Sequence, residues 1–131
     1  MWSSKILLDV RRGDGPPAAR HWTFPALATT ARLLEEHPDI AAGAVRAIVK
    51  TQQALRAEPQ LAAKAAQRLF PAEEASLIAF EVTRDLPFYD ATITEKMVAH
   101  ASRFAREMGV LEGDVRYGEL VATQFAPLWR G

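Results

Sequence analysis

The chain has 131 residues and no cysteine, which excludes disulfides, thiolate nucleophiles and cysteine-based zinc or iron–sulfur centres. Sixteen basic residues balance sixteen acidic ones, so no net charge recruits nucleic acid or an anionic membrane surface. The length suits a single unit, residues 1–131, and alanine makes up 24 of its 64 hydrophobic residues, leaving 40 larger ones for a core.

The first ten residues do not read as a secretory signal, because the apolar run Ile6-Leu7-Leu8 is interrupted by Asp9 and followed by Arg11-Arg12. The chain therefore reads as cytoplasmic as written. The charge-free stretch 21–31 is eleven residues long and contains Pro25, while a membrane-spanning helix needs about 20 apolar residues. No membrane insertion is expected. Ile6-Leu7-Leu8-Asp9-Val10 has strand length and is ended by the turn formers Gly13-Asp14-Gly15-Pro16-Pro17. Residues 21–30 mix aromatics and threonine in a second strand-like run, confined to an edge by Pro25. A third short strand is conceivable only at Val115-Arg116-Tyr117. The expected fold class is mainly α with one or two short N-terminal strands, divided into a strand or hinge-like segment at 1–30 and a helical segment at 31–131.

From Ala31 the pattern is helical. A short helix, 31–36, stops at His37-Pro38, because the residue before proline avoids the α region. Pro38 and Asp39 suit the first turn of a second helix, whose stripe is Ala41, Ala44, Val45, Ile48 and Leu55. Glu58-Pro59 and Phe70-Pro71 repeat the same stop and start. They delimit a helix over 60–69 burying Leu61, Ala62, Ala65 and Leu69, and another through Leu77, Ile78 and Val82 to about Asp85. Thr92-Ile93-Thr94-Glu95 fits a capping box ahead of a helix whose face is Met97, Ala101, Phe104, Ala105 and Met108. Gly109 suits a left-handed C-cap, and one short helix is expected over 118–123. Strands so few do not complete a sheet, so their exposed edges predict a homodimer through the N-terminal strands, or completion by another chain.

The side chains that carry chemistry are scattered. His21, His37 and His100 have no second histidine at zinc-ligand spacing. Glu73-Glu74 stands where acids are ordinary, in a first helical turn. Pro16-Pro17 stands where a phosphate loop would need helix amides. No serine has a credible histidine–acid pair, so catalysis, a metal and a cofactor are not expected. Trp22, Phe24, Phe88 and Tyr89 lie outside the helical stripes, where an aromatic packs a joint or faces a ligand.

The order of these segments carries a resemblance. Asp9 through Pro17 leads into Thr23-Phe24-Pro25-Ala26-Leu27-Ala28-Thr29-Thr30, then Leu33-Leu34-Glu35-Glu36-His37-Pro38-Asp39. The helix-proline steps follow, and then Met108-Gly109-Val110-Leu111 and Val115-Arg116-Tyr117-Gly118-Glu119-Leu120-Val121. Together they resemble the C-terminal part of ABC-transporter substrate-binding proteins of the nitrate/sulfonate/taurine and thiamine-pyrimidine type. The resemblance implies the C-terminal portion of an α/β type II periplasmic binding protein, truncated to about the last third. It also implies a periplasmic setting, an ABC permease as partner, and non-catalytic binding of a sulfonate, nitrate, pyrimidine or aromatic acid once the missing lobes are supplied. Arg12, Asp14, His21 and Trp22, near the implied hinge, are the candidate ligand-binding residues. Two other readings stand beside it: a stand-alone helical protein-interaction module without a small-molecule ligand, and a remnant of a thiamine-pyrimidine synthesis enzyme.

Overall fold

The structure, a computed structural model, describes residues 5, 7–15, 17 and 25–130, with residue 11 described by its backbone alone. The described residues are mainly helical: α1 (Ala31–Glu36), α2 (Pro38–Ala57), α3 (Leu61–Leu69), α4 (Ala72–Asp85), α5 (Glu95–Glu107) and α6 (Tyr117–Leu120), with 3-10 turns at Val10–Arg12, Leu86–Phe88 and Thr123–Leu128. The chain divides into two compact units, Met1–Ala26 with Ile93–Thr123 and Leu27–Thr92 with Gln124–Gly131.

No strand occurs among the described residues, which corrects the N-terminal strands expected from the sequence. Leu7 is 96% exposed, and the chain curls into a local turn with Arg12 N donating to Asp9 O at 3.1 Å and Gly13 N to Val10 O at 3.1 Å. Gly13 and Gly15 take φ of +87° and +89°, the left-handed region that glycine adopts without strain. A five-residue apolar run becomes a strand only if a neighbour supplies a ladder, and here the backbone groups bond locally instead. Residues 25–30 run exposed and irregular into α1, and Tyr117 opens α6 rather than ending a strand. Ile6 and residues 21–24 lie outside the described residues. The strand edges on which a homodimer was expected are thus absent among the described residues.

In the unit Leu27–Thr92, each helix begins where the local chemistry supplies a start. Thr30 Oγ1 accepts from Leu33 N at 3.2 Å and caps α1. Pro38 occupies the first turn of α2, where its missing N–H costs nothing. Glu58 closes α2 by donating its amide to Ala54 O at 2.8 Å, and Phe70 closes α3 on Ala66 O at 2.8 Å. Of the helices here, α3 and α4 pack most extensively against each other. The buried residues are small: Ala41 and Val49 on α2, Ala62 and Ala66 on α3, and Ala75 on α4, with Leu86 just beyond. Val49, not Ile48, is the buried residue in the middle of α2. The Arg56 guanidinium donates to Tyr89 O and ties the end of α2 to the segment after α4.

In the other unit the cap of α5 differs in register from the expected box. Thr94, not Thr92, is the N-cap, its Oγ1 accepting from Met97 N at 3.2 Å, and Glu95 is the first helical residue. Thr92 N instead donates to Asp90 Oδ1 at 2.8 Å, in the turn before it. The C-terminus of α5 ends as expected on Gly109, at φ +70°. Val110 N donates to Ala105 O at 2.8 Å and Gly109 N to Arg106 O at 3.0 Å, the bond pair of a Schellman motif. Val98 is the buried residue of α5, while Met108 is exposed. The Tyr117 hydroxyl donates to Ile93 O at 2.6 Å, joining α6 to the chain just ahead of α5. Glu119 reaches back from α6 to accept from Arg116 Nε at 3.0 Å and from Arg116 N at 3.1 Å.

Two outcomes follow from these caps. Thr94→Ala should lower stability by about 1 kcal/mol in urea denaturation, while Thr92→Ala, which removes no cap, should leave the midpoint nearly unchanged. The Arg116 side chain, and secondarily its backbone amide, hold the Glu119 carboxyl below its ordinary value. Because the folded value is depressed, this contribution is present above the unfolded value and is lost as pH falls through the folded one. Carboxyl carbon shifts followed by NMR titration should show the low value, and Arg116→Ala should raise it part of the way, since the backbone amide still donates.

Candidate functional site

The feature of the unit Leu27–Thr92 that best suits binding is an apolar groove of about 360 Å³ framed by α2, α3 and α4. From α2 it takes Thr51, Ala54 and Leu55; from α3, Leu61, Ala62, Ala65, Ala66 and Leu69, with Phe70 just past the helix; from α4, Ile78 and Val82. Alanine is the cause of the hollow. Ala54, Ala62, Ala65 and Ala66 present only a Cβ, so the larger side chains around them stand as walls with nothing between. Thr51 is the one polar side chain in the lining, and its hydroxyl is spent on Ala47 O at 2.8 Å.

Burial around the groove gives it a mouth and a floor. Thr51 and Ala54 on α2, and Ala65 and Leu69 on α3, are exposed, whereas Ile78 and Val82 on α4 are half-buried. The opening therefore lies between α2 and α3, and α4 closes the bottom. Leu69 is 75% exposed and Phe70 44% exposed. Leu69 lies on the stripe that the sequence marks as apolar, yet most of its side chain is left uncovered.

The residues singled out from the sequence are arranged differently. Arg12 points to solvent, with its Nε 3.8 Å from the Asp9 carboxylate. Asp14 Oδ2 accepts from Asp9 N at 3.1 Å, so both residues serve the turn around Asp9. His21 and Trp22 lie outside the described residues, as does Phe24. Phe88 sits in the 3-10 turn after α4, and Tyr89 offers its carbonyl to Arg56. His37 caps the junction of α1 and α2, while His100 belongs to α5 of the other unit. Among the described residues no group of three or more His, Asp or Glu gathers to hold a metal ion. Also among the described residues, no helix is long and apolar enough to cross a membrane.

Seven of the eleven groove residues were legible as helix stripes, namely Leu55, Leu61, Ala62, Ala65, Leu69, Ile78 and Val82, whereas Thr51, Ala54, Ala66 and Phe70 were not. What the sequence withheld was their convergence, and the fact that these stripes meet around open space rather than around each other. The signal that marks it is the density of alanine on the lining face of α3, at Ala62, Ala65 and Ala66. Comparison with protein-family models, curated proteins and solved structures finds no match to the chain.

An open groove makes a specific stability pattern. Leu69→Ala, at a side chain already in water, should cost less than about 1 kcal/mol in urea denaturation, whereas Leu86→Ala, at a buried one, should cost about 2–5 kcal/mol. Equal losses at the two positions would mean that Leu69 is covered in solution.

Proposed function

We propose that this chain is a non-catalytic binding protein that takes an apolar guest between α2 and α3. The observation that carries the reading is the groove itself: a cavity of about 360 Å³, within the range of roughly 300–1,000 Å³ typical of small-molecule sites, with a lining that offers shape and desolvation but no reacting group. Its wider role, in the same proposal, is solute capture as part of a substrate-binding protein for an ABC importer, supported by the resemblance of the segment order. Of the ligand classes that the resemblance implies, a molecule with a ring or chain suits an apolar lining better than nitrate does, since a buried small anion would find no donor there.

A second reading is favoured by another observation. Leu77 and Phe80 on α4, like Leu69, are large apolar side chains left in water, which suits a helical module whose partner is another protein.

Titration with the uncharged dye Nile red separates the two. On the first reading the dye binds with a blue-shifted emission. Ala65→Trp, which fills the mouth from an exposed position, weakens binding by about tenfold or more. Gln67→Trp, also exposed on α3 but outside the lining, leaves it unchanged. Binding unaffected by Ala65→Trp would remove the groove as the site and leave the protein-interaction reading.

A further inference from the structure

We propose that the guest of the groove is an amphipathic anion, its apolar chain lying along α3 and its carboxylate or similar head held at the mouth by Lys64 and Arg68. This inference rests on the groove being the binding site and adds the charge of what it takes.

The argument starts from helix geometry. Residues three and four apart on a helix are neighbours on its surface. Lys64 follows Leu61 by three, Arg68 follows Ala65 by three, and the two cations are four apart. They form one exposed row directly beside the lining row of α3. On α2, Lys50 lies four residues before Ala54 and so beside the lining of that helix. Cations therefore stand on both lips.

No acid stands on the stretch of either helix that lines the groove. From Ala47 to Ala57, and through the whole of α3, the charged residues are Lys50, Arg56, Lys64 and Arg68, without one aspartate or glutamate. Arg56 is engaged with Tyr89 O. Lys50, Lys64 and Arg68 have no ion pair with any described residue, whereas Arg84 holds both Glu81 and Asp85. The nearest acids in sequence are Glu58, which caps the end of α2 at its junction with α3, and those of α4, the floor helix, where Glu73 and Glu74 occupy the first turn favoured by the helix dipole. An apolar trough with unpaired cations along its lips complements a molecule that is apolar along its length and negative at one end. A chain of that kind leaves its head in water at the mouth, so the anion need not be stripped of solvent to bind.

The test uses three ligands with the same ten-carbon tail, each competing with Nile red on the full chain: decanoate, decanol and decyltrimethylammonium. Decanoate should bind about tenfold tighter than decyltrimethylammonium at low salt, as expected for one head near two exposed cations, and salt should narrow the gap. The Lys64→Glu/Arg68→Glu double variant should reverse the order of the two charged ligands. Lys64→Gln/Arg68→Gln, which introduces no new charge, should only abolish the preference, and circular dichroism checks that both variants keep their helices. Equal binding of the three ligands would overturn the anion inference while leaving the groove as an apolar site. A preference for decanoate that survives the double variants would overturn it too. Failure of all three to displace the dye, or of the dye to bind, would remove the groove reading itself.

Discussion

Close approach of α3 and α4 through alanine is the constraint on which the rest of the unit Leu27–Thr92 depends. Ala75 and Ala66 are 2% and 3% exposed, the most deeply buried of the described residues in their unit, and Ala62 is buried beside them at 7%. An alanine contact lets helix backbones come near with little side-chain entropy lost. It also contributes little: burial of a single methyl group is a small fraction of the roughly 1.5–3 kcal/mol that a buried leucine or valine supplies. The unit is thus held by many small contacts, supplemented by caps and by the Arg56 bond to Tyr89. Two of these alanines, Ala62 and Ala66, also line the space that becomes the groove. Stability and binding surface share one cause here, and enlarging the alanines to strengthen the packing would close the site.

The electrostatics follow the same division of labour. Arginines with nearby acids are used locally: Arg32 with Glu36, Arg84 with Glu81 and Asp85, Arg106 with Asp114 and Arg116 with Glu119. Exposed pairs of this kind add little stability, typically about 0–1 kcal/mol each. They do neutralise one another, and so the cations that remain unpaired beside the groove are the ones with charge to offer a guest. A chain with no net charge can in this way carry a local preference that its overall composition conceals.

The helical part of the fold was legible because its punctuation is strong. Proline at 38, 59 and 71 sets helix starts through a missing N–H and a restricted predecessor, and Gly109 sets an end through its positive φ. Finer registers were less legible. Thr92 and Thr94 are chemically equivalent as caps, and only the completed helix selects Thr94. Ile48 and Val49 are both apolar, and which one is buried depends on where α2 meets its neighbours. The strand expectation failed because a run such as Ile6 to Val10 describes an appetite for burial and not the presence of a partner. The candidate residues drawn from the family resemblance, Arg12 and Asp14, were chosen by an implied hinge, whereas the structure gives them local bonds in a turn.

The sequence by itself determined where helices begin and end, and which face of each is apolar, because these properties depend on residues within one or two turns of each other. Only the tertiary structure decided how much of each apolar face is covered. Leu61, Ala65 and Leu69 read as core from their spacing, yet they line an open groove. Periodicity records that a side chain avoids water; whether another side chain arrives to cover it depends on residues distant in sequence, whose sizes matter as much as their polarity. With alanine at those facing positions, the helices meet and the space between them stays open.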